Sequence, residues 1–424
     1  MKNLVSLFAA VMVLAGVWIP AAGDAPQAGA SWEEPLYSVL EEGLKSFIGL
    51  SGETGDYIDL SGFGLSSEKD SEDRLLLFRT YKKVLQDHPE YFYATSGYWG
   101  ILGNSGRLAG IRPEYYAFAS EPEKIQQCNA AIEEVLAQVE DISDPVEQML
   151  VLHDYLISRS VYNWEVAVQK DSAAPEDVRS VYAALVQRDT VCRGFACAYQ
   201  VLLSRLGIEC LLVESEPMNH VWNMVRLDGA WYHVDLTRSI EPNPTLRGRC
   251  RHEAFLVSDE ALRGLGYRDW EVAWMEQPPA CTSRKYESGW AFCGVMFPLY
   301  CQDGSFYSLR RESDAQCGVY RGGLSGTGER VGVIPLFTND TGYTYSGVVW
   351  HGDSLYYVQR DGRLMEYRLA DGSSTALGTV PFSPGRAQDG SYEADRDAVS
   401  LYLEGDTLIA ASRTRREVLA EFPL

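Results

Sequence analysis

Apolar positions change their spacing several times along the chain, and each change predicts an element. From Leu36 to Phe47 and from Asp73 to Leu85 they recur every three to four residues, the period of a helix with one buried face. The second stretch runs into His88-Pro89, where the proline ring cannot continue a helix. The runs YFYATSGYWGIL and RLAGI, around GNSG, predict a hairpin whose aromatics Tyr93, Tyr98 and Trp99 pack. Helical spacing returns in EPEKIQQCNAAIEEVLAQVED and in DPVEQMLVLHDYLISRSVY. Asp144 is placed to cap the second of these, with Pro145 in its first turn. A third helical stretch spans Ser180 to Arg188, and Asp189-Thr190 interrupts the pattern. A helix follows from Cys192 to Leu206, ended by Gly207. The strand IECLLVES comes next, and then HVWNMVRLDGAWYHVDLT, two alternating runs joined by Asp228-Gly229, a strong hairpin signal.

After about Pro279 the pattern turns β-like, rich in glycine, tyrosine and turn dipeptides. The passages LYCQDGSFYSL, GDSLYYVQRDGRLMEYRLADG and EGDTLIAASRTRREVLAEF resemble one another and recur at roughly fifty- to sixty-residue intervals. A propeller usually needs about four blades, so three such passages predict a small β-meander or sandwich of blade-like units.

A length of 424 residues at 46% hydrophobic composition is more than a single core organises. The expected division is a leader at 1–23, a mixed α/β region at 24–120, a catalytic domain at 121–280 and a β-rich C-terminal domain at 281–424. The leader rests on one lysine, an apolar run and small residues around Ala21 to Gly23, the order of a secretory signal peptide. An uncleaved N-terminal anchor is the alternative; no other membrane-spanning segment is visible. The expected location is therefore secreted or cell-envelope. A formal net charge of −22 argues against nucleic acid and anionic lipid as partners.

The nine cysteines are Cys128, Cys192, Cys197, Cys210, Cys250, Cys281, Cys293, Cys301 and Cys317; an odd number in an exported chain leaves at least one thiol unpaired. No CxxC repeat, HExxH motif or EF-hand loop is present. Cys250 and His252 lie close, but two ligands do not make a metal site, so no metal and no cofactor is expected. His153 and Asp154 read as helix-surface or locally hydrogen-bonded residues.

Cys192 stands where a loop enters a helix, and the unpaired N–H groups there favour a thiolate and can hold an oxyanion. Arg193 adds positive charge and Gly194 keeps the first turn clear. A two-residue turn at Asp228-Gly229 pairs Leu227 with Ala230, Trp222 with Asp235 and His220 with Thr237. His220 and Asp235 are then diagonal neighbours on one face, about 7–8 Å apart at Cβ or less. Asp235 can hold one ring nitrogen of His220 and leave the other for Cys192, the logic of a catalytic triad. His233, opposite Met224, shares that face nearer the turn and is the weaker candidate base. Cys197 and Cys210 read as core or disulfide residues.

VCRGFACAYQVLLSRLGI followed by NHVWNMVRLDGAWYHVDLT resembles the core of the transglutaminase-like superfamily, over about residues 120 to 285. LHDYLISRSVYN and HEAFLVSD are similar to flanking segments of its secreted bacterial members. Carried over, the family's nucleophile falls on Cys192, its base on His220 and its orienting acid on Asp235. Arg238 stands where the family often has an aromatic residue, and Val221 where it has alanine. Tyr182 is a candidate oxyanion donor, with packing as its other role. The resemblance implies an α+β, papain/transglutaminase-like cysteine-proteinase core, a Cys-bearing helix on an antiparallel sheet, followed by the C-terminal all-β domain. It implies acyl transfer or hydrolysis of peptide, isopeptide or glutamine amide bonds through a thioacyl intermediate. The expected partner is a protein or peptide substrate, cell-envelope material included. The alternative is a catalytically silent scaffold acting as a cell-surface or protein-binding module.

Overall fold

The structure is a computed structural model of the chain. It describes residues 33–46, 57–168, 176–240, 250–287, 297–302, 305–313, 315–322, 328–336, 346–359, 361–381, 399–404, 406–412 and 417–424. The leader expected at 1–23 and Cys293 lie outside the described residues. The chain divides into two compact units, Met1–Tyr116 and Ala117–Leu424.

The first unit holds α1 (Glu33–Ser46), β1 (Ile58–Asp59), α2 (Glu72–Asp87), β2 (Ala94–Leu102) and β3 (Leu108–Tyr115), with the strands in the order β1-β3-β2. Leu36, Leu40 and Leu44 share the buried face of α1, one residue per turn. The Ser71 hydroxyl caps α2 by accepting from the Arg74 N–H at 3.3 Å. Tyr81 of α2 meets Tyr98 edge-on at 5.1 Å. Trp99 was expected to pack with its neighbours but is 67% exposed, because alternate residues of β2 face opposite ways.

In the second unit, α3 (Pro122–Leu136) precedes α4 (Pro145–Arg159). Asp144 caps α4 by accepting from Val146 N at 2.7 Å and Glu147 N at 3.2 Å. β4 (Val161–Tyr162), α5 (Trp164–Val168) and β5 (Asp189–Thr190) follow, with β4 and β5 parallel. The helical stretch expected over Ser180 to Arg188 contains a π-helical turn at Ala183–Gln187, closed by Arg188 in the left-handed region at φ 58°.

α6 (Cys192–Arg205) packs against an antiparallel sheet of β6 (Cys210–Ser215), β7 (His220–Leu227), β8 (Ala230–Val234) and β9 (Phe255–Val257), in that order. Asn223 of β7 donates to the Ala196 carbonyl at 3.0 Å and so ties sheet to helix. α7 (Leu236–Ser239) separates β8 from β9, and α8 (Asp259–Gly264) follows β9. Leu211, Val213, Trp222 and Met224 pack with Leu262 of α8, Tyr267 and Val272.

The C-terminal passages form three antiparallel sheets, each with its strands in chain order. The first has β10 (Tyr300–Gln302), β11 (Ser305–Ser313), β12 (Gln316–Gly322) and β13 (Glu329–Ile334). The second has β14 (Val348–His351), β15 (Ser354–Val358), β16 (Arg363–Arg368) and β17 (Ser374–Thr379). The third has β18 (Val399–Glu404), β19 (Thr407–Ser412) and β20 (Val418–Pro423). β15 is buried on both faces: Leu355 and Tyr357 pack with the first sheet, Tyr356 and Val358 with the third. Among the described residues no helix is long and apolar enough to cross a membrane.

The start of α6 leaves no room for a side chain at Gly194. A Cβ there would overlap Thr190 Oγ1 and lie 3.0 Å from the Ser180 carbonyl oxygen. Thr190 cannot easily yield, since its hydroxyl donates to the Val178 carbonyl at 2.6 Å. Gly194→Ala is expected to cost about 1–3 kcal/mol by overpacking. The readout is a lower urea midpoint at unchanged slope; an unchanged midpoint would mean that this turn has slack.

Candidate active site

Asp228 and Gly229 take φ of 50° and 78°, so the turn between β7 and β8 has two residues in the left-handed region. The register follows from it: Leu227 pairs with Ala230, Met224 with His233 and Asn223 with Val234. The ladder stops there. The expected pairs Trp222–Asp235 and His220–Thr237 are not made, because Asp235 leaves the strand to cap α7. The facing relation survives the departure: His220 Nε2 lies 2.7 Å from Asp235 Oδ2.

Asp235 is 1% exposed, and both of its oxygens are met by donors. Oδ1 accepts from Thr237 N at 2.8 Å, Thr237 Oγ1 at 2.7 Å and Arg238 N at 3.4 Å. Oδ2 accepts from the Tyr267 hydroxyl as well as from His220. Burial alone would raise its pKa; the His220 charge and hydrogen bond, then Tyr267 and Thr237, hold it down to about 2.

Cys192 is half-buried at the first position of α6, with Val191 extended before it and no side chain capping the helix. Its thiol is hydrogen-bonded to His220, whose Nε2 is already engaged, which leaves Nδ1 to face the sulfur. Burial pushes the Cys192 pKa up, but the His220 hydrogen bond and charge and the Val221 N–H outweigh it, so the thiol lies below its ordinary value. Burial also disfavours a charged His220; the Asp235 carboxylate and the hydrogen bonds to Asp235 and Cys192 win, and its pKa is pushed up to about 10. Other buried thiols move the opposite way. Burial raises Cys128 to about 12, and it also raises Cys210, Cys250 and Cys281.

His233 is a different kind of residue. The Trp222 indole N–H donates to its Nδ1 at 3.1 Å, and an indole cannot accept. The His233 proton therefore sits on Nε2, 2.9 Å from Asp259 Oδ1, and both ring nitrogens are spent inside the core. Arg193 pairs with Glu214 at 2.9 Å. Tyr182 stacks on Phe118 at 5.1 Å and bonds Gln127, away from Cys192. Arg238 reaches Glu253 at 3.4 Å.

Tyr162 stands where sequence reasoning named no residue. Burial and then Cys192 raise its pKa, and its side chain is hydrogen-bonded both to the Cys192 thiol and to the Cys192 backbone. Tyr162 comes from β4, thirty residues earlier, and Tyr267 comes from beyond α8, so neither has a local signal. Thr237 did have one, since Asp-x-Thr at a strand end is a capping pattern. Two further groups of metal-capable side chains lie buried or nearly so: His153, Asp154, Cys250 and His252; and His233, Asp259 and Cys281. His153 and Asp154 are 0% and 2% exposed rather than on a helix surface, because α4 is covered by α6, α7 and β10.

Residues 133–236 match the family model described as the transglutaminase-like superfamily, and that stretch, which contains Cys192, His220 and Asp235, carries a transglutaminase-like core. No curated protein matches the chain. A crystal structure of a TGase is similar at 17% identity over 38% of this chain and 48% of that one, with a TM-score of 0.25. A crystal structure of the computationally designed Ika8 protein is similar at 12% identity over 50% and 61%, with a TM-score of 0.16. The chain thus spans about half the length of the first and under two thirds of the second.

A depressed thiol pKa keeps thiolate present above it, and thiolate is lost only as pH falls through it; a raised imidazole stays protonated until pH passes about 10. Between those limits the pair is thiolate–imidazolium. Iodoacetamide is therefore expected to alkylate Cys192 at pH values where a model thiol, pKa about 8.5, is almost inert. His220→Ala should move the profile up to that of the model thiol or beyond it, because burial then acts without its main opponent. Mass-spectrometric rates at each pH test this, and a Cys192 profile indifferent to His220 would refute it.

Proposed function

We propose that the chain is a transglutaminase-like cysteine enzyme that breaks or exchanges amide bonds of protein or peptide substrates. The observation that carries the reading is the hydrogen-bonded series Cys192–His220–Asp235, with its sulfur at the open N-terminus of α6. The finer papain-like description of the core belongs to this reading as well.

In the proposed reaction the Cys192 thiolate attacks the amide carbon, and the carbonyl π pair moves to oxygen. The backbone N–H groups at the start of α6 are oriented to receive that oxyanion. Tyr162 must turn aside from the Cys192 backbone for the substrate oxygen to reach it. Collapse of the intermediate expels the amine, which takes its proton from the His220 imidazolium and leaves a thioester on Cys192. The neutral imidazole then removes a proton from water or from a second amine as either attacks the thioester. The C–S bond then breaks and Cys192 leaves as its thiolate: water yields a carboxylic acid, and an amine yields a new amide. Asp235 holds Nε2 throughout and keeps Nδ1 aimed at the sulfur. Hydrolysis is the favoured outcome, because water is always present.

The purified full chain is to be incubated with glutaminyl and isopeptide-containing peptides, with and without a primary amine. Released ammonia or amine and the mass of the peptide product are read. Turnover is expected, abolished by Cys192→Ala and reduced about 10²–10⁴-fold in kcat by His220→Ala. Turnover retained by Cys192→Ala would overturn the reading. A chain whose binding to a protein partner survives Cys192→Ala, with no turnover of any amide, would act as a scaffold instead.

A further inference from the structure

Away from Cys192, four side chains with metal-binding atoms meet in the interior: His153 and Asp154 from α4, and Cys250 and His252 ahead of β9. Their ligating atoms all lie within 4.8 Å of one another, and none of the four residues is more than 3% exposed. The pattern of contacts is unusual. One oxygen, Asp154 Oδ1, lies 2.7 Å from His153 Nδ1, 2.7 Å from His252 Nε2 and 3.0 Å from Cys250 Sγ. The sulfur in turn is 3.5 Å from His252 Nε2 and 3.9 Å from His153 Nδ1. Three groups thus converge on one carboxylate oxygen and also on one another.

That convergence has nearly the dimensions of a tetrahedral zinc site. Zinc bonds of about 2.0–2.1 Å to nitrogen and about 2.3 Å to sulfur set neighbouring ligand atoms about 3.3–3.6 Å apart. The sulfur–nitrogen separations are already close to this. The two nitrogen–oxygen contacts and the sulfur–oxygen contact need to open by about half an ångström. Two of the outward atoms are held as a metal's ligands require. His153 Nε2 lies 2.9 Å from the Ser239 hydroxyl, and Asp154 Oδ2 accepts from Leu299 N at 2.6 Å. A hydroxyl both donates and accepts, so Ser239 can take the proton of Nε2 and leave the Nδ1 lone pair for a metal.

We propose that His153, Asp154, Cys250 and His252 bind one Zn²⁺ as a closed structural site. Two imidazoles, a thiolate and a carboxylate oxygen are a zinc donor set, and no coordination position opens to solvent. A carboxylate and a thiolate balance the two charges of the metal, so the loaded site is neutral in the interior. Binding expels the Cys250 thiol proton, because the thiolate and not the thiol ligates zinc. The bound metal joins α4 to the segment before β9 and, through Leu299, to the start of the C-terminal sheets. Through Ser239 it also braces the last residue of α7, the helix that Asp235 caps. The group of His233, Asp259 and Cys281 does not qualify, since the Trp222 indole can only donate to His233 Nδ1 and so fixes the proton on Nε2, the nitrogen that would have to ligate.

The full chain carrying Cys192→Ala is the material for the test, so that the thiol beside His220 cannot contribute and the result is independent of the proposed reaction. It is stripped with EDTA and titrated with ZnCl₂ by calorimetry in buffers of different ionisation enthalpy, and with CoCl₂ by absorption. We expect one zinc per chain, retained through desalting, with protons released on binding. The cobalt form should show tetrahedral d–d bands and a thiolate charge-transfer band that adding Cys250→Ala abolishes. Ser239→Ala should weaken zinc about 10–100-fold and leave the stoichiometry at one. Loosely held, substoichiometric zinc in a folded chain would overturn the proposal, and so would a cobalt spectrum indifferent to Cys250→Ala. If Cys250→Ala does not fold, native mass spectrometry of the Cys192→Ala chain decides: one added zinc on the folded charge states supports the site, and none refutes it.

Discussion

A carboxylate taken out of water must be met by donors on both oxygens, and the neighbourhood of Asp235 is arranged around that need. Its Oδ1 is satisfied locally, by the N–H and hydroxyl of Thr237 and the N–H of Arg238, and this requires the chain to turn into α7 as soon as β8 ends. That turn is why the β7–β8 ladder stops at Asn223–Val234. Oδ2 is then free to face across the sheet, where His220 and Tyr267 arrive from separate elements. The orientation of His220, and through it the state of the Cys192 thiol, descends from one buried charge seeking partners. Asp154 repeats the principle in α4, with its oxygens met by His153, His252, Cys250 and the N–H of Leu299.

Much of this was legible in the sequence because its causes are local. Asp228-Gly229 fixes a turn and hence a register. Asp144 and Pro145 announce the start of α4, and the interruption at Asp189-Thr190 announces that of α6. The juxtaposition of His220 and Asp235 follows from a period of two counted outward from a turn. The strict ladder beyond Val234 was wrong in detail, since counting along strands cannot foresee that a carboxylate will end one.

What escaped has non-local causes. Tyr162 and Tyr267 reach the site from elements whose docking no periodicity encodes. His153 and Asp154 read as helix-surface or locally hydrogen-bonded; the local bond between them is there, but their burial escaped because a helix pattern reports one buried stripe, whereas α4 is enclosed from several directions. Cys250 and His252 read as an incomplete pair because their companions lie nearly a hundred residues earlier. The repeated passages near the C-terminus were legible as strands. β15 carries apolar or small residues at successive positions because sheets cover it on both sides.

The division among the thiols bears on how the chain ages. Peroxide reacts with thiolate and hardly with thiol. Burial raises the pKa of Cys128, Cys210 and Cys281, while that of Cys192 is lowered and its side chain is only partly covered. Among these four thiols oxidation is therefore expected at Cys192 first, as a sulfenic acid that a small thiol can reverse and then as a sulfinic acid that it cannot. The core around it would still be intact when that residue is spent. Such a protein would fail as a fuse fails, at one point, leaving a folded chain that has lost its reactive thiol and keeps its shape.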